Sequence, residues 1–430
     1  MALSRYSISP LALGINTSSP ELFTNKLYSP RVVNARIDQN SVTKRRGYST
    51  ADRTLQEQAY DVALFQLQNG TRYTLYLTSE NLCLRETGTG GTWSYKTESV
   101  TTVSVTGFDG TKKIVTASGG GFTASGVAAG DYFIITADLD ADTEPDTNWG
   151  IIASKDSDTQ ITLTNAYTGA SATGACTLRK VYTVPNNERW SYAMVDDKFC
   201  FTNGETNVQY WTGTGYAAAL DSTNAVKAKY CIEYANRLFL ADCYISSNRA
   251  PYTVKWSKEG DPTDWTDSTA GENDFLDTDD YITGLGKAGS NIVVYKRDSI
   301  VIGARSGDLT APVSYQTASK GIGLVAPWSL VSFLGTNAWL GRDDFYRLNG
   351  DYPVSIGSPV RDKLLAEVGE TELQNTWGMA NYNDNEIWWF VKATMGEYVG
   401  QKAYVWNYKT DQWSVNTFPV NITGLGKGAA

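Results

Sequence analysis

RWSYAMVDDKFCFTNGETNVQYWTGTGYAAAL, residues 189–220, is the segment on which the fold turns. Short aromatic-rich runs alternate with polar turns at Asp196-Asp197 and Asn203-Gly204. Aromatic runs bounded by such dipeptides are strand and hairpin signals. The same order of strand, turn, aromatic strand, turn and third strand recurs along the chain. It is present in 60–88, with turns at Asn69-Gly70 and Ser79-Glu80-Asn81, and in 229–243 with YTVKWSK after it. It returns in 282–307, 328–357 and 377–393, the last followed by 402–415. A small sheet of this kind leaves both faces exposed, and radial stacking of repeated sheets covers them. Six units of about four strands predict a mostly β fold, a six-bladed β-propeller. A β-sandwich or β-solenoid with coincidental hairpins is the competing architecture. The adjacent Trp388 and Trp389, and Trp406, alternate as core residues do.

Residues 101–182 interrupt the repeat with Gly, Ala, Thr, Ser and Asp. Strand-like runs at 130–140, 149–169 and 175–182 predict a small inserted β-barrel. The expected organisation is an extended arm over 1–56, a first blade over 57–100, the barrel over 101–182, and the remaining blades over 183–430. ITGLGK occurs at 282–287 and again at 422–427, where it reads as a closing strand between last and first blades. RDKLLAEV, 361–368, is the one segment with helical spacing.

Composition limits the chemistry. The 430 residues include no histidine, which excludes His-based triads and His-ligated zinc. The five cysteines form no CxxC pair and read as buried thiols of a chain folded in a reducing cytoplasm. The N-terminus does not read as a signal peptide, and no run approaches the roughly 18 apolar residues of a membrane helix. Asp138, Asp140 and Asp142 have the spacing of the first calcium-loop ligands, but Thr143 and Trp149 stand where Gly and Glu are required. GLGKAG, 284–289, and GLGKG, 424–428, lack phosphate-loop spacing and read as strand-turn glycines. No cofactor or metal is expected. Numerous carboxylates leave a carbohydrate-binding or glycan-cleaving propeller open as the alternative, although no catalytic pair stands out.

Charge is unevenly distributed. The net charge is -9, yet residues 1–56 carry eight basic and three acidic side chains. Between 259 and 280 there are nine acids and no base. Such complementary segments can pair between subunits and set their register. A solvated charge run and phosphate binding by Lys44, Arg45 and Arg46 are the other readings of the basic segment. An acidic balance suits a channel through which DNA slides without sticking.

Three stretches together resemble a family. In 14–50, Gly14-Ile15-Asn16, Val33-Asn34-Ala35-Arg36 and Lys44-Arg45-Arg46-Gly47-Tyr48 are similar to phrases in the N-terminal arm of tail-hub or nozzle proteins of short-tailed phages, also called packaged-DNA stabilisation proteins. Ile15 stands where Leu is commoner, and Arg46 where proline often precedes the glycine. Gly130-Asp131 with 163–180 resembles a barrel inserted in virion proteins, and 261–289 resembles the loop and blade entry of the tail hubs. The resemblance implies a non-enzymatic, homohexameric ring in the virion tail, assembled in the host cytoplasm below portal and adaptor proteins. DNA would pass its channel without sequence-specific binding, and tail fibres or spikes would attach outside. The residues expected at the inter-subunit or adaptor interface are Arg36, Lys44, Arg45 and Arg46 on the basic side. Asp274, Asp277, Asp279 and Asp280 are expected on the acidic side.

Overall fold

A computed structural model describes residues 15–18, 34–38, 41–44, 58–85, 93–97, 99–139, 148–185, 187–221, 223–224, 227–245, 248–396, 398–419 and 421–423. The fold is mostly β, with six four-stranded antiparallel sheets and a closed six-stranded barrel. The sheets are the six propeller blades that the repeats predict, with strands inside 59–95, 191–219, 228–274, 282–320, 331–355 and 377–417. The chain forms two compact units. One, from 53–228, 260–263 and 423–430, holds blades 1 and 2 and the barrel; the other, from 1–52, 229–259 and 264–422, holds the N-terminal arm and blades 3 to 6.

Local chemistry explains the blades. Asp196 and Asp197 have φ of 44° and 56°, and Val195 pairs with Lys198 across them. Two left-handed residues in a two-residue loop match the right-handed twist of the flanking strands. The strand Asn291–Lys296 in blade 4 is buried nearly throughout because both of its faces are covered. Ile292 and Val294 pack with Phe239 and Trp256 of blade 3, while Val293 and Tyr295 pack with Trp339 and Tyr346 of blade 5. Trp388 and Trp389 likewise enter different apolar clusters. Indole N–H groups are satisfied by connecting carbonyls: Trp339 donates to Gly323 O at 3.0 Å, Trp389 to Ser329 O at 2.9 Å and Trp413 to Ile356 O at 2.8 Å. Each of these three rings therefore adds buried area without leaving its donor unpaired.

Three blades extend beyond their sequence units; blade 1 adds Trp93–Tyr95 as its fourth strand. The fourth strand of blade 3 is Gly271–Asp274, drawn from the acidic segment, and that of blade 4 is Val313–Lys320. Both are polar outer strands with little apolar periodicity. The predicted helix is α1 (Arg361–Glu367), whose Leu364 is fully buried between blades 5 and 6. A one-turn helix, α2 (Glu370–Leu373), follows it and is too short to show a period in sequence.

The barrel strands run Ser99–Phe108, Ile114–Ala117, Tyr132–Ile135, Gly150–Ser157, Gln160–Leu163 and Gly174–Arg179. Pairing of Gly150 with Phe133 completes the ring of strands, around a core that includes Val105, Val115, Phe133, Ile161 and Leu178. In the first ITGLGK copy, a Cβ on Gly286 would stand 2.9 Å from Asn337 Nδ2, so glycine admits the next blade. Of the second copy, 424–427 lie outside the described residues. Ile422 and Thr423 are not strand, which departs from the expected closing strand. Thr423 Oγ1 instead donates to Ala59 O at 2.9 Å, at the start of blade 1. All five cysteines are buried thiols, none in a disulfide.

Candidate functional site

The family-like arm is pinned to blade 6 by apolar burial and backbone bonds. Ile15 is 1% exposed among Trp389, Trp406 and Trp413, and its N–H donates to Trp413 O at 3.0 Å. Asn16 Oδ1 accepts from Ser18 N–H and Oγ, closing a tight turn, and Thr17 N–H donates to Pro359 O at 2.7 Å. Asn34 has φ of 55°, a region Asn tolerates better than most residues. Its N–H donates to Val415 O, its Nδ2 to Thr417 Oγ1, and its Oδ1 accepts from Thr417 N–H, each at 2.9 Å. These contacts use groups of the fourth strand of blade 6, Gln412–Thr417, whose far side would otherwise be an open sheet edge. The chain then forms a hairpin of Ala35–Asp38 and Ser41–Lys44, in which Ala35 pairs with Lys44 and Arg36 with Thr43. The hairpin thus contains Arg36 and Lys44; Arg45 and Arg46 lie outside the described residues.

Within the acidic segment, Asp-x-Thr occurs three times in nine residues. Asp261, Asp264 and Asp267 each accept from the N–H of the Thr two positions on, at 3.0, 3.1 and 2.9 Å. These are Asx turns, in which the side chain replaces a backbone acceptor. Lys258 Nζ lies 3.5 Å from both Asp264 and Asp267. Of the predicted interface acids, Asp274 accepts from Thr253 Oγ1, Asp277 accepts from Thr317 Oγ1 at 2.7 Å, and both are exposed, as is Asp279.

Asp280 departs from the predicted surface role. It is 8% exposed, 3.0 Å from the fully buried Lys296 Nζ, and accepts from Asp298 N–H and Ser299 Oγ. Burial raises its pKa, but bonds from Thr278, Asp298, Lys296 and Ser299 outweigh that and hold the carboxyl below its usual range. Lys296 also donates to Phe275 O and Thr278 O at 3.0 and 3.1 Å, so its charge is compensated inside the blade. Among four acids close in sequence, nothing in the residue type marks the one that turns inward.

Two further carboxylates bear on the alternative chemistry. Asp61 is pushed up to about 6 by burial, against the Val62 N–H, Arg189 and the Tyr192 hydroxyl. No second carboxylate acts on it among the described residues, whereas a glycosidase of the usual kind needs a pair. Asp138 accepts from Tyr167 OH at 2.7 Å and from Ser171 N–H and Oγ, which ties a barrel loop together; Asp140 and Asp142 lie outside the described residues. Among the described residues no cluster of His, Cys, Asp or Glu could hold a metal.

No family model and no curated protein matches the chain. Solved structures share a general likeness. PorZ, described as an essential bacterial surface component of the type-IX secretion system of Porphyromonas gingivalis, aligns at 10% identity and a TM-score of 0.30 over 84% of this chain and 45% of its own. An endosialidase of phage phi92 aligns at 10% identity and 0.26, over 87% of this chain and 60% of its own. Sqt1 of Saccharomyces cerevisiae aligns at 8% identity and 0.34, over 83% and 84%. The chain thus spans less than two thirds of the first two proteins. At these values the likenesses carry no functional argument.

Proposed function

We propose that the chain is a structural virion protein of a tailed phage, forming a tail ring that retains packaged DNA, conducts it during ejection and anchors fibres or spikes. The carrying observation is the arm. Ile15 and Asn34, which belong to the phrases that resemble tail-hub proteins, are the residues that fasten it to blade 6. An arm fastened at two points holds the hairpin with Arg36 and Lys44 at a defined place on the subunit, as an assembly contact requires. The exposed Asp274, Asp277 and Asp279 on and beside blade 3 supply charge of the opposite sign. The portal–adaptor complex and a second copy of the chain are the partners this reading names.

The test is mass measurement of the purified protein with single-particle imaging, alone and with a portal–adaptor complex. Rings of six, or monomers that form rings on the complex, support the reading. Lys44→Glu, Arg45→Glu and Arg46→Glu combined should leave the monomer folded and abolish ring formation. A wild-type protein that stays monomeric beside the complex overturns it, and an intact ring in the triple variant removes the basic arm from the interface.

A further inference from the structure

The barrel, blade 1 and a loop of blade 2 enclose a cleft of about 340 Å³ within one compact unit. Arg179, the last residue of the final barrel strand, lines it. The guanidinium carbon lies 3.8 Å from the centre of the Tyr95 ring and 4.2 Å from that of Trp149. Stacking between two rings fixes the plane of the fork and leaves its N–H edge as the only polar direction. Among the described residues that edge has no carboxylate or carbonyl acceptor, and no acidic side chain lines the cleft. Trp149 fixes one face of that fork; its indole N–H is buried without a partner among the described residues. A half-buried guanidinium held flat between two rings at a cleft, with no acceptor on its fork among the described residues, is a place prepared for an anionic acceptor. Lys96 adds positive charge, and Tyr216 and Leu139 present exposed apolar surface at the rim.

We propose that this cleft binds the carboxylate of an acidic sugar, a uronate or a sialate-type residue. The Arg179 fork would take the carboxylate side-on, the geometry in which two parallel N–H bonds form. The Tyr216 face and Leu139 suit the C–H face of a pyranose, and a cleft of this volume is at the small end of ligand sites. Hydroxyl side chains at Ser94 and Thr177 line the same space and match sugar hydroxyls better than a bare inorganic anion. This site is independent of ring formation: a tail protein and a glycan-binding monomer could both carry it.

The test is calorimetry or saturation-transfer NMR on the full chain with D-glucuronate and N-acetylneuraminate, with glucose and inorganic phosphate as controls. Millimolar binding of either acidic sugar, at least about 10-fold tighter than glucose, is expected, because removing a charge-assisted pair costs about that factor. Arg179→Gln should weaken binding about 10-fold or more, and Trp149→Ala, which removes one stacking face of the fork, by a smaller factor. A melting curve on each variant separates lost binding from lost folding, and Arg179→Lys, retaining charge without the fork, gives a second reading if Arg179→Gln unfolds. Equal binding by wild type and the folded Arg179 variants overturns the proposal, as does phosphate binding as tightly as the sugars. So does binding that emerges only when Asp140, Asp142, Glu144 and Asp146 are neutralised, because the cleft would then serve the chain's own acids.

Discussion

The basic arm and the acidic segment look like mirror images in sequence, one charged patch for each sign. The structure treats them differently. Ile15, Thr17 and Asn34, none of which carries a charge, fasten the described parts of the arm, and Arg36 and Lys44 lie in the hairpin that follows Asn34. The acidic segment spends much of its charge at home. Three of its acids cap their own turns, one pairs with Lys296 in the interior, and Asp274 closes the fourth strand of blade 3. Charge density in a sequence therefore records two things that look alike: free surface and local hydrogen-bond acceptors.

The largest expected effect tests the interior end of the acidic segment. Lys296→Met leaves Asp280 buried without its cation, which should cost about 3–5 kcal/mol in denaturant unfolding. The pH dependence supplies its sign. Asp280 is held below the ordinary Asp range in the fold, so its contribution is present above about pH 4, the unfolded value, and is lost as pH falls through the lower folded value. Wild type should show this acid-side loss, and Lys296→Met should show less of it. A variant as stable as wild type with an unchanged acid limb would return Asp280 to the surface role first read from sequence.

Next in size is Ile15→Ala, which empties a site in the core of blade 6 and should cost about 2–4 kcal/mol. The same variant should expose the arm to protease before the blades unfold. If the arm stays protected, the bonds at Asn34 suffice to hold it. Those bonds are tested by Asn34→Ala, which removes the reciprocal pair with Thr417 and should cost about 1 kcal/mol, partly through the left-handed backbone that Asn tolerates. Loss of ring assembly in Asn34→Ala with an intact blade would tie the placement of the hairpin to assembly.

How much of this was legible follows from the range of each interaction. The blades were readable because Asp196-Asp197 and Asn69-Gly70 act on their immediate neighbours, and because strand alternation has a period of two. The outer strands Gly271–Asp274 and Val313–Lys320 were missed because a strand with one solvated face and few apolar residues resembles a loop. Ile15 was singled out by resemblance, but its burial depends on Trp413, almost 400 residues away, and no local pattern encodes that contact. Arg179, Tyr95 and Trp149 were invisible as a group for the same reason: Arg179 and Trp149 come from the barrel and Tyr95 from the last strand of blade 1, and their spacing carries no motif.

The smallest expected effect decides what the acids at 261–269 are for. Asp267 accepts from Thr269 N–H and Oγ1 and also faces Lys258, so its position is explained equally by a hydrogen bond or by an ion pair. Asp267→Asn keeps an acceptor oxygen and removes the charge; Asp267→Ala removes both. If the turn is held by the acceptor, amide exchange at Thr269 should stay slow in the Asn variant and quicken in the Ala variant, with the global melting midpoint unchanged in both. Lys258→Met should then leave Thr269 protected, and added salt should do nothing, since exposed pairs are screened and contribute little. Fast exchange in Asp267→Asn and in Lys258→Met would instead make the segment an electrostatic patch, as its sequence alone suggests. The charges would then be the functional content of this stretch, and its turns a consequence of them.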